Sequence, residues 1–227
     1  MGIKSFPLVS EPLTLLFKEI KSELRTRYAL NAVLMFAIVS LSVVSITVGQ
    51  YALDPKILAS LFWVVLFFSS MSGLAHVFVK EEEKKTSDLL KLVAEPSTVF
   101  LGKFFFNLVF FFFLEAVIVP LFILFLGLKI QNTHFFLAVL ILSSLGLVSA
   151  TTIIGAIVSK ARVKGALFAV LSFPILLPLL IIAIDGTYLS IQKTGIFYNM
   201  DNLKFLLSYF VVMLVLSFLL FDYVWKE

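Results

Sequence analysis

Six long apolar runs leave this chain little choice of fold. Residues 29–53, 57–79, 134–159 and 165–184 contain no Asp, Glu, Lys or Arg, and 104–128 contains one, Glu115. The last run, 205–224, is the shortest in its uncharged part, and Tyr223 and Trp225 extend it as an interfacial anchor. A bilayer core ~30 Å thick needs about 20 apolar residues in a helix, which each run supplies, the last only just. Lipid offers backbone amides no water, so these runs predict helices and nothing else. Composition agrees: 61% of residues are hydrophobic and 14% charged, against about a quarter charged in a soluble chain. The expectation is an all-α polytopic membrane protein of six transmembrane helices, forming one domain over residues 1–227. The first 28 residues are polar to amphipathic and predict no cleavable signal.

Orientation follows from the basic residues. Fourteen of the eighteen lysines and arginines fall in the N-terminal segment, the loops 80–103 and 160–164, and the C-terminus. Lys56, Lys129, Lys193 and Lys204 fall on the other side. The positive-inside rule then predicts that both termini are cytoplasmic.

Two cytoplasmic stretches are more than connectors. Ser10-Glu11-Pro12 opens a helix within residues 1–28 whose apolar positions Leu13, Leu16, Phe17, Ile20 and Leu24 follow helical spacing. Lys18, Lys21 and Arg25 lie away from that stripe, and Lys18, Glu23, Arg25 and Arg27 are its candidate interfacial residues. An ordinary amphipathic packing helix is the alternative. The second stretch, Lys80 to Lys103, is the densest run of charge in the chain. Its acidic-basic start, with Glu81, Glu82 and Glu83, leads into a short amphipathic segment. Leu89, Leu92 and Val93 share one face of it, and Asp88, Lys91 and Glu95 the other. Thr86 or Ser87 caps its start, and Pro96 is expected to stop it. Two or three turns of helix do not persist alone in water, so the segment needs a surface. The stretch reads as a handle gripped by a soluble partner, with Glu81, Glu82, Glu83, Asp88, Leu89, Leu90 and Leu92 as its candidate residues.

The chemistry of the chain is sparse. It lacks cysteine, so disulfides, thiolate catalysis and cysteine-held metals are excluded. It has no G-x-x-x-x-G-K-S/T phosphate loop, no H-E-x-x-H and no nucleophile elbow, so it reads as no enzyme by itself. No cofactor or metal site is expected, and no nucleic-acid partner. His76 and His134 belong to opposite ends of spans and read as interfacial residues, not as paired haem ligands. Glu115 is the one acid deep in a span, where a charge costs about 3 kcal/mol or more. It reads either as a hydrogen-bonding partner of a neighbouring helix or as a participant in passage or gating. Pro120, Pro174 and Pro178 each remove a helix hydrogen bond and are candidate hinges. Thr151, Gly155 and Ser159, beside Gly146 and Ala150, permit close helix approach, within the chain or between two copies.

The run from Phe17 to Met35, FKEIKSELRTRYALNAVLM, resembles the N-terminal signature of the haem exporter protein B family. Ala52-Leu53-Asp54-Pro55, Leu61-Phe62-Trp63, the block Glu81 to Glu83, Leu101-Gly102-Lys103 and Leu145-Gly146-Leu147 follow in order, and PILLPLLIIAI from Pro174 looks like the family's twin-proline fifth span. Lys85-Thr86 stands where the broader ABC-2 class often has Gly-Thr. The resemblance implies the permease subunit of the ABC complex of cytochrome c maturation, in a bacterial inner membrane. It implies a homodimer bound to a separate cytoplasmic ATPase, a haem-handling membrane subunit, a small single-span subunit and a periplasmic haem chaperone. ATP would then belong to the partner, and haem would be cargo. Under it, the handle is the ATPase-coupling loop, and ATP hydrolysis drives haem delivery or chaperone release. A generic ABC-2 exporter of a lipid, glycan or drug, and a non-transporting membrane scaffold, are the alternatives.

Overall fold

The computed structural model describes residues 10–48, 53–74, 76–83, 90–92, 94–161, 164–192 and 200–226. Its elements are α1 (Ser10–Thr26), α2 (Tyr28–Val48), α3 (Pro55–Leu74), α4 (His76–Glu83), α5 (Pro96–Leu126), α6 (Thr133–Ser159), α7 (Lys164–Ile191) and α8 (Met200–Lys226). Residues 90–92 are also helical. Among the described residues every regular element is a helix.

Local chemistry sets the ends. At α3, Asp54 Oδ1 accepts the Lys56 N–H at 2.7 Å, and Pro55 supplies a pre-set φ at the first helical position. Asn132 caps α6 by accepting from the Phe135 N–H at 3.1 Å. Gly127 closes α5 in the left-handed region, φ 66°, with its N–H bonded to the Ile123 carbonyl at 3.1 Å.

The apolar runs became helices with shifted bounds. Pro96 was expected to end the amphipathic segment of the handle. The helical residues 90–92 do end before it, with Glu95 extended, and Pro96 also opens α5, because a proline at the first helical position gives up an N–H that had no partner anyway. Residues 96–103, read as loop, are therefore the first two turns of a 31-residue helix. The run 57–79 is divided between α3 and α4. The run 165–184 continues through Asp185 to Ile191, and the last helix begins at Met200. Five helices among the described residues are long and apolar enough to cross a membrane: Leu30–Val48, Pro96–Leu126, Thr133–Ser159, Leu167–Ile191 and Met200–Trp225. The apolar part of α3, Pro55–Met71, is shorter.

Helix α6 forms the centre, packed against α4, α5, α7 and α8. Its small and hydroxylated residues make this possible, since they let backbones approach and return their hydroxyls to their own carbonyls. Thr151 and Thr152 do so at 2.8 and 2.7 Å. A Cβ on Gly146 would lie 2.7 Å from Leu179 of α7 and 3.1 Å from Tyr209 of α8. Thr151, Gly155 and Ser159 are buried within this one chain, which assigns the small-residue stripe to internal packing. Side-chain bonds tie the layers: Trp63 Nε1 donates to Thr187 Oγ1 at 2.8 Å, Asn107 Nδ2 to Thr152 Oγ1 at 3.0 Å, and Ser217 Oγ to the Ser149 carbonyl at 2.9 Å.

The helix ends collect at two opposite faces. At one, Gln131 and Asn132 donate backbone N–H groups to the Ser190 carbonyl, both at 3.0 Å. There too Ser45, near the end of α2, donates to the Phe125 carbonyl at 3.1 Å. The other face gathers the ends of α4, α6 and α8, the start of α5 and the helix α1, and it carries the charge.

Candidate coupling site

Helix α1 is amphipathic, but its two faces have unusual neighbours. Leu13, Phe17 and Leu24 of the apolar stripe point away from the protein, while Pro12, Glu19 and Glu23 are buried against it. Acids cannot be turned inward without a counter-charge. Lys103 provides it. This lysine lies in the second turn of α5 and is 2% exposed. Its ammonium stands 2.8 Å from Glu81 of α4 and 3.6 Å from Glu19 of α1. It also donates to the Val77 carbonyl at 3.2 Å and sits 4.7 Å from the centre of the Phe78 ring.

Lys18 completes the cluster from the solvent side. It donates to Glu81 at 2.7 Å and lies 3.4 Å from Glu19. Two lysines and two glutamates from three helices thus form one electroneutral group. Burial alone would push the Glu81 carboxyl up, but Lys103 and then Lys18 beside it hold it below the ordinary carboxylate value. Burial works in the opposite sense on the Lys18 ammonium, and its bonds to Glu81 and Glu19 still raise it above the usual lysine value.

Close backbone contact fixes this arrangement. A Cβ at Gly102 would lie 2.8 Å from Leu15 Cβ and 3.3 Å from the Pro12 carbonyl oxygen. Only glycine lets α1 cross α5 so near the lysine that neutralises it. Helix α4, eight residues long, carries Glu81 into the cluster and Glu82 to within 3.8 Å of Lys160 at the end of α6.

The remaining candidates are placed as follows. Leu90 is half-buried against the core, and Leu92 is 84% exposed. Lys91 Nζ lies 5.9 Å from the ring centre of Trp225, itself buried near the end of α8. Asp88 and Leu89 lie outside the described residues, as does the side chain of Glu83. Arg25 and Arg27 are exposed, and Glu23 accepts the Leu30 N–H at 3.3 Å. Glu115, 3% exposed, accepts from Ser144 Oγ of α6 at 2.5 Å, well away in sequence from the charged end. Pro120, Pro174 and Pro178 all lie within continuous helices, and Tyr209 donates to the Ile175 carbonyl at 2.7 Å beside the twin prolines. His134 is exposed at the start of α6.

Sequence reasoning gave Lys103 no role beyond ending the handle and closing the Leu101-Gly102-Lys103 motif, and it did not single out Glu19. Their signal was present. Lys103 is the only cation between Pro96 and Leu128, and Glu19 and Glu23 share one face, four residues apart.

Long apolar helices packed about a hydroxyl-rich central one, with a compact charged junction at one end, define a multi-pass membrane protein. Over residues 11–222 the sequence matches the family of the CcmB protein, so the chain belongs to that family. It is the family of ABC permease subunits serving haem transport in cytochrome c maturation. No curated protein matches the sequence.

Proposed function

We propose that this chain is worked from the cytoplasm by a separate ATPase that grips the stretch between α4 and α5, and that the α1–α4–α5 cluster transmits the movement. The carrying observation is the buried bridge from Glu81 to Lys103, flanked by Glu19 and Lys18. It fastens the helices on either side of the handle to each other and to α1. A force applied to the handle then moves three helices as one body. The family match supports the ABC setting. Exposed Leu92, an apolar side chain on a charged handle, supports a docking role.

The membrane arrangement follows. Six crossings are supported by the alternation of helix ends between the two faces, with α3 and the start of α4 serving as the second crossing. The distribution of basic residues supports a charged face, both termini and a handle that lie in the cytoplasm, and the family match supports a bacterial inner membrane. Two copies form the permease beside a haem-handling membrane subunit and a small single-span subunit. Closure of the ATPase pair on ATP tilts α4 and α5 and drives haem delivery, or release of the haem-loaded chaperone, on the outer side. Glu82, Glu83, Asp88, Leu89 and Leu92 form the outer contact of the handle, Leu90 seats it on the core, and Glu81 is its inner anchor. Glu115 and the prolines belong to the bundle that responds.

The test is co-purification. Leu92→Asp puts a charge on an exposed position and leaves the fold intact. The ATPase should be lost from the purified complex, or its activity should fall at least about tenfold with the permease still at wild-type abundance. ATPase retained at wild-type stoichiometry and activity refutes the assignment.

A further inference from the structure

At the elbow where α1 gives way to α2, the structure holds an apolar groove of about 220 Å³. Ile20 and Leu24 of α1, Leu30 of α2, and Val109, Phe110 and Phe113 of α5 are among its walls. Glu23 contributes to the wall as well, while its carboxylate accepts the Leu30 N–H. Leu24, Val109 and Phe113 are exposed on the outside of the bundle, so the groove opens toward the surroundings of the protein. An apolar groove of this size gives water no partners, so its stable occupant is hydrocarbon.

Two arginines adjoin the groove in the chain. Arg25, in the last turn of α1, and Arg27, just past its end, are exposed and lie in the chain between the wall residues Leu24 and Leu30. Arg27 Nε donates to the Leu24 carbonyl at 3.3 Å, which ties the guanidinium to the backbone of a wall residue. The backbone adds an independent sign. Arg27 has φ 53°, the one non-glycine residue in the left-handed region among those described. Its N–H closes on the Glu23 carbonyl at 2.6 Å, which is the position where a helix end usually places glycine. A glycine would make this turn without strain. An arginine at a strained position points to a use for its side chain.

We propose that the elbow binds one anionic phospholipid, its phosphate on Arg27 and Arg25 and one acyl chain in the groove. The proposal rests on α1 lying in the headgroup layer, and not on the reading of the handle. A guanidinium binds phosphate in a bidentate way, and the negative lipid surface rewards each basic side chain placed near it. Zwitterionic lipid fills the groove equally well but lacks the net charge, so the preference resides in the arginines and the occupancy in the apolar walls.

The test uses the full-length chain in detergent micelles doped with phosphatidylglycerol or phosphatidylcholine, with retained lipid counted by native mass spectrometry and thermal unfolding measured alongside. Wild type should retain one phosphatidylglycerol in preference to phosphatidylcholine. Arg27→Gly should lower that preference about fivefold while melting at the same or a higher temperature. Val109→Trp should fill the groove and remove tight retention of both lipids. An unchanged preference in Arg27→Gly overturns the proposal, as does a lower melting temperature with lipid retention untouched, which would make the arginine structural. A lipid-free dimer that Val109→Trp dissociates would give the groove to a second copy and overturn it too. None of these outcomes reads ATPase binding, so a failure here leaves the handle assignment separately testable.

Discussion

Replacing Lys103 with methionine keeps the length and apolar stem of the side chain and removes its charge. Glu81, 6% exposed, then loses the ammonium 2.8 Å away, and Glu19 loses the one at 3.6 Å. Removing one member of a buried pair typically costs about 3–5 kcal/mol, because the partner stays buried and uncompensated. Lys18 remains 2.7 Å from Glu81, but half its side chain is in solvent, so its contribution is discounted for screening. The lower end, about 3 kcal/mol, is the expected loss. Adding Glu81→Leu should restore most of it, since Lys18 and Glu19 then remain as a pair 3.4 Å apart. The double variant should fall within about 1 kcal/mol of wild type, a coupling of at least about 2 kcal/mol. Reversible denaturant unfolding in detergent of wild type, both single variants and the double variant measures this cycle. Additive losses would show that the bridge contributes nothing as a pair, and the three-helix body would lose its physical basis.

The same cluster fixes a pH window. Glu81 sits below its ordinary 4.5 in the folded chain, so its stabilisation is present above 4.5 and is lost as pH falls through the folded value. Lys18 sits above its ordinary 10.5, so its share is full below 10.5 and is lost as pH rises through the folded value. The cluster's contribution to thermal stability should therefore be flat between these limits and fall outside them, and the difference between wild type and Glu81→Gln should shrink on the acid side. Gly102→Val should push α1 off α5, because even a Cβ there meets Leu15 at 2.8 Å. Cross-linking between cysteines introduced at Leu15 and Leu101 should weaken in that variant. In the bundle, Ser144→Ala should cost about 1–3 kcal/mol by removing the hydroxyl that stands 2.5 Å from Glu115 and 2.6 Å from the Leu140 carbonyl, while Ser144→Thr keeps the hydroxyl and most of the stability. Equal losses in the two would show that the hydroxyl is irrelevant and that only the packing counts.

The membrane helices were legible because hydrocarbon imposes one requirement, an unbroken apolar run, and the runs contain almost no exceptions. Their ends were less legible. Pro96 follows the end of one helical segment and starts the next, and its presence alone does not say that residues 96–103 continue as helix. The faces of α1 show a different limit. Its apolar stripe was visible in Leu13, Phe17 and Leu24, but periodicity cannot say whether such a stripe faces protein or lipid. Here Leu13, Phe17 and Leu24 face outward while Leu16 and Ile20 pack against the core, and the inward choice of Glu19 depends on a lysine about eighty residues later in the chain. Long-range charge pairing of that kind leaves no periodic trace. Glu115 was visible as an anomaly, but its partner Ser144 is one of several serines on α6 that spacing cannot separate.

The central claim is that the handle faces the cytoplasm, where an ATPase reaches it. The chain contains no cysteine, so Leu92→Cys, at a position 84% exposed, creates a single reactive thiol. A membrane-impermeant maleimide should leave that thiol unmodified in intact spheroplasts and modify it once the inner membrane is opened. Full modification in intact spheroplasts would place the handle outside and contradict the account.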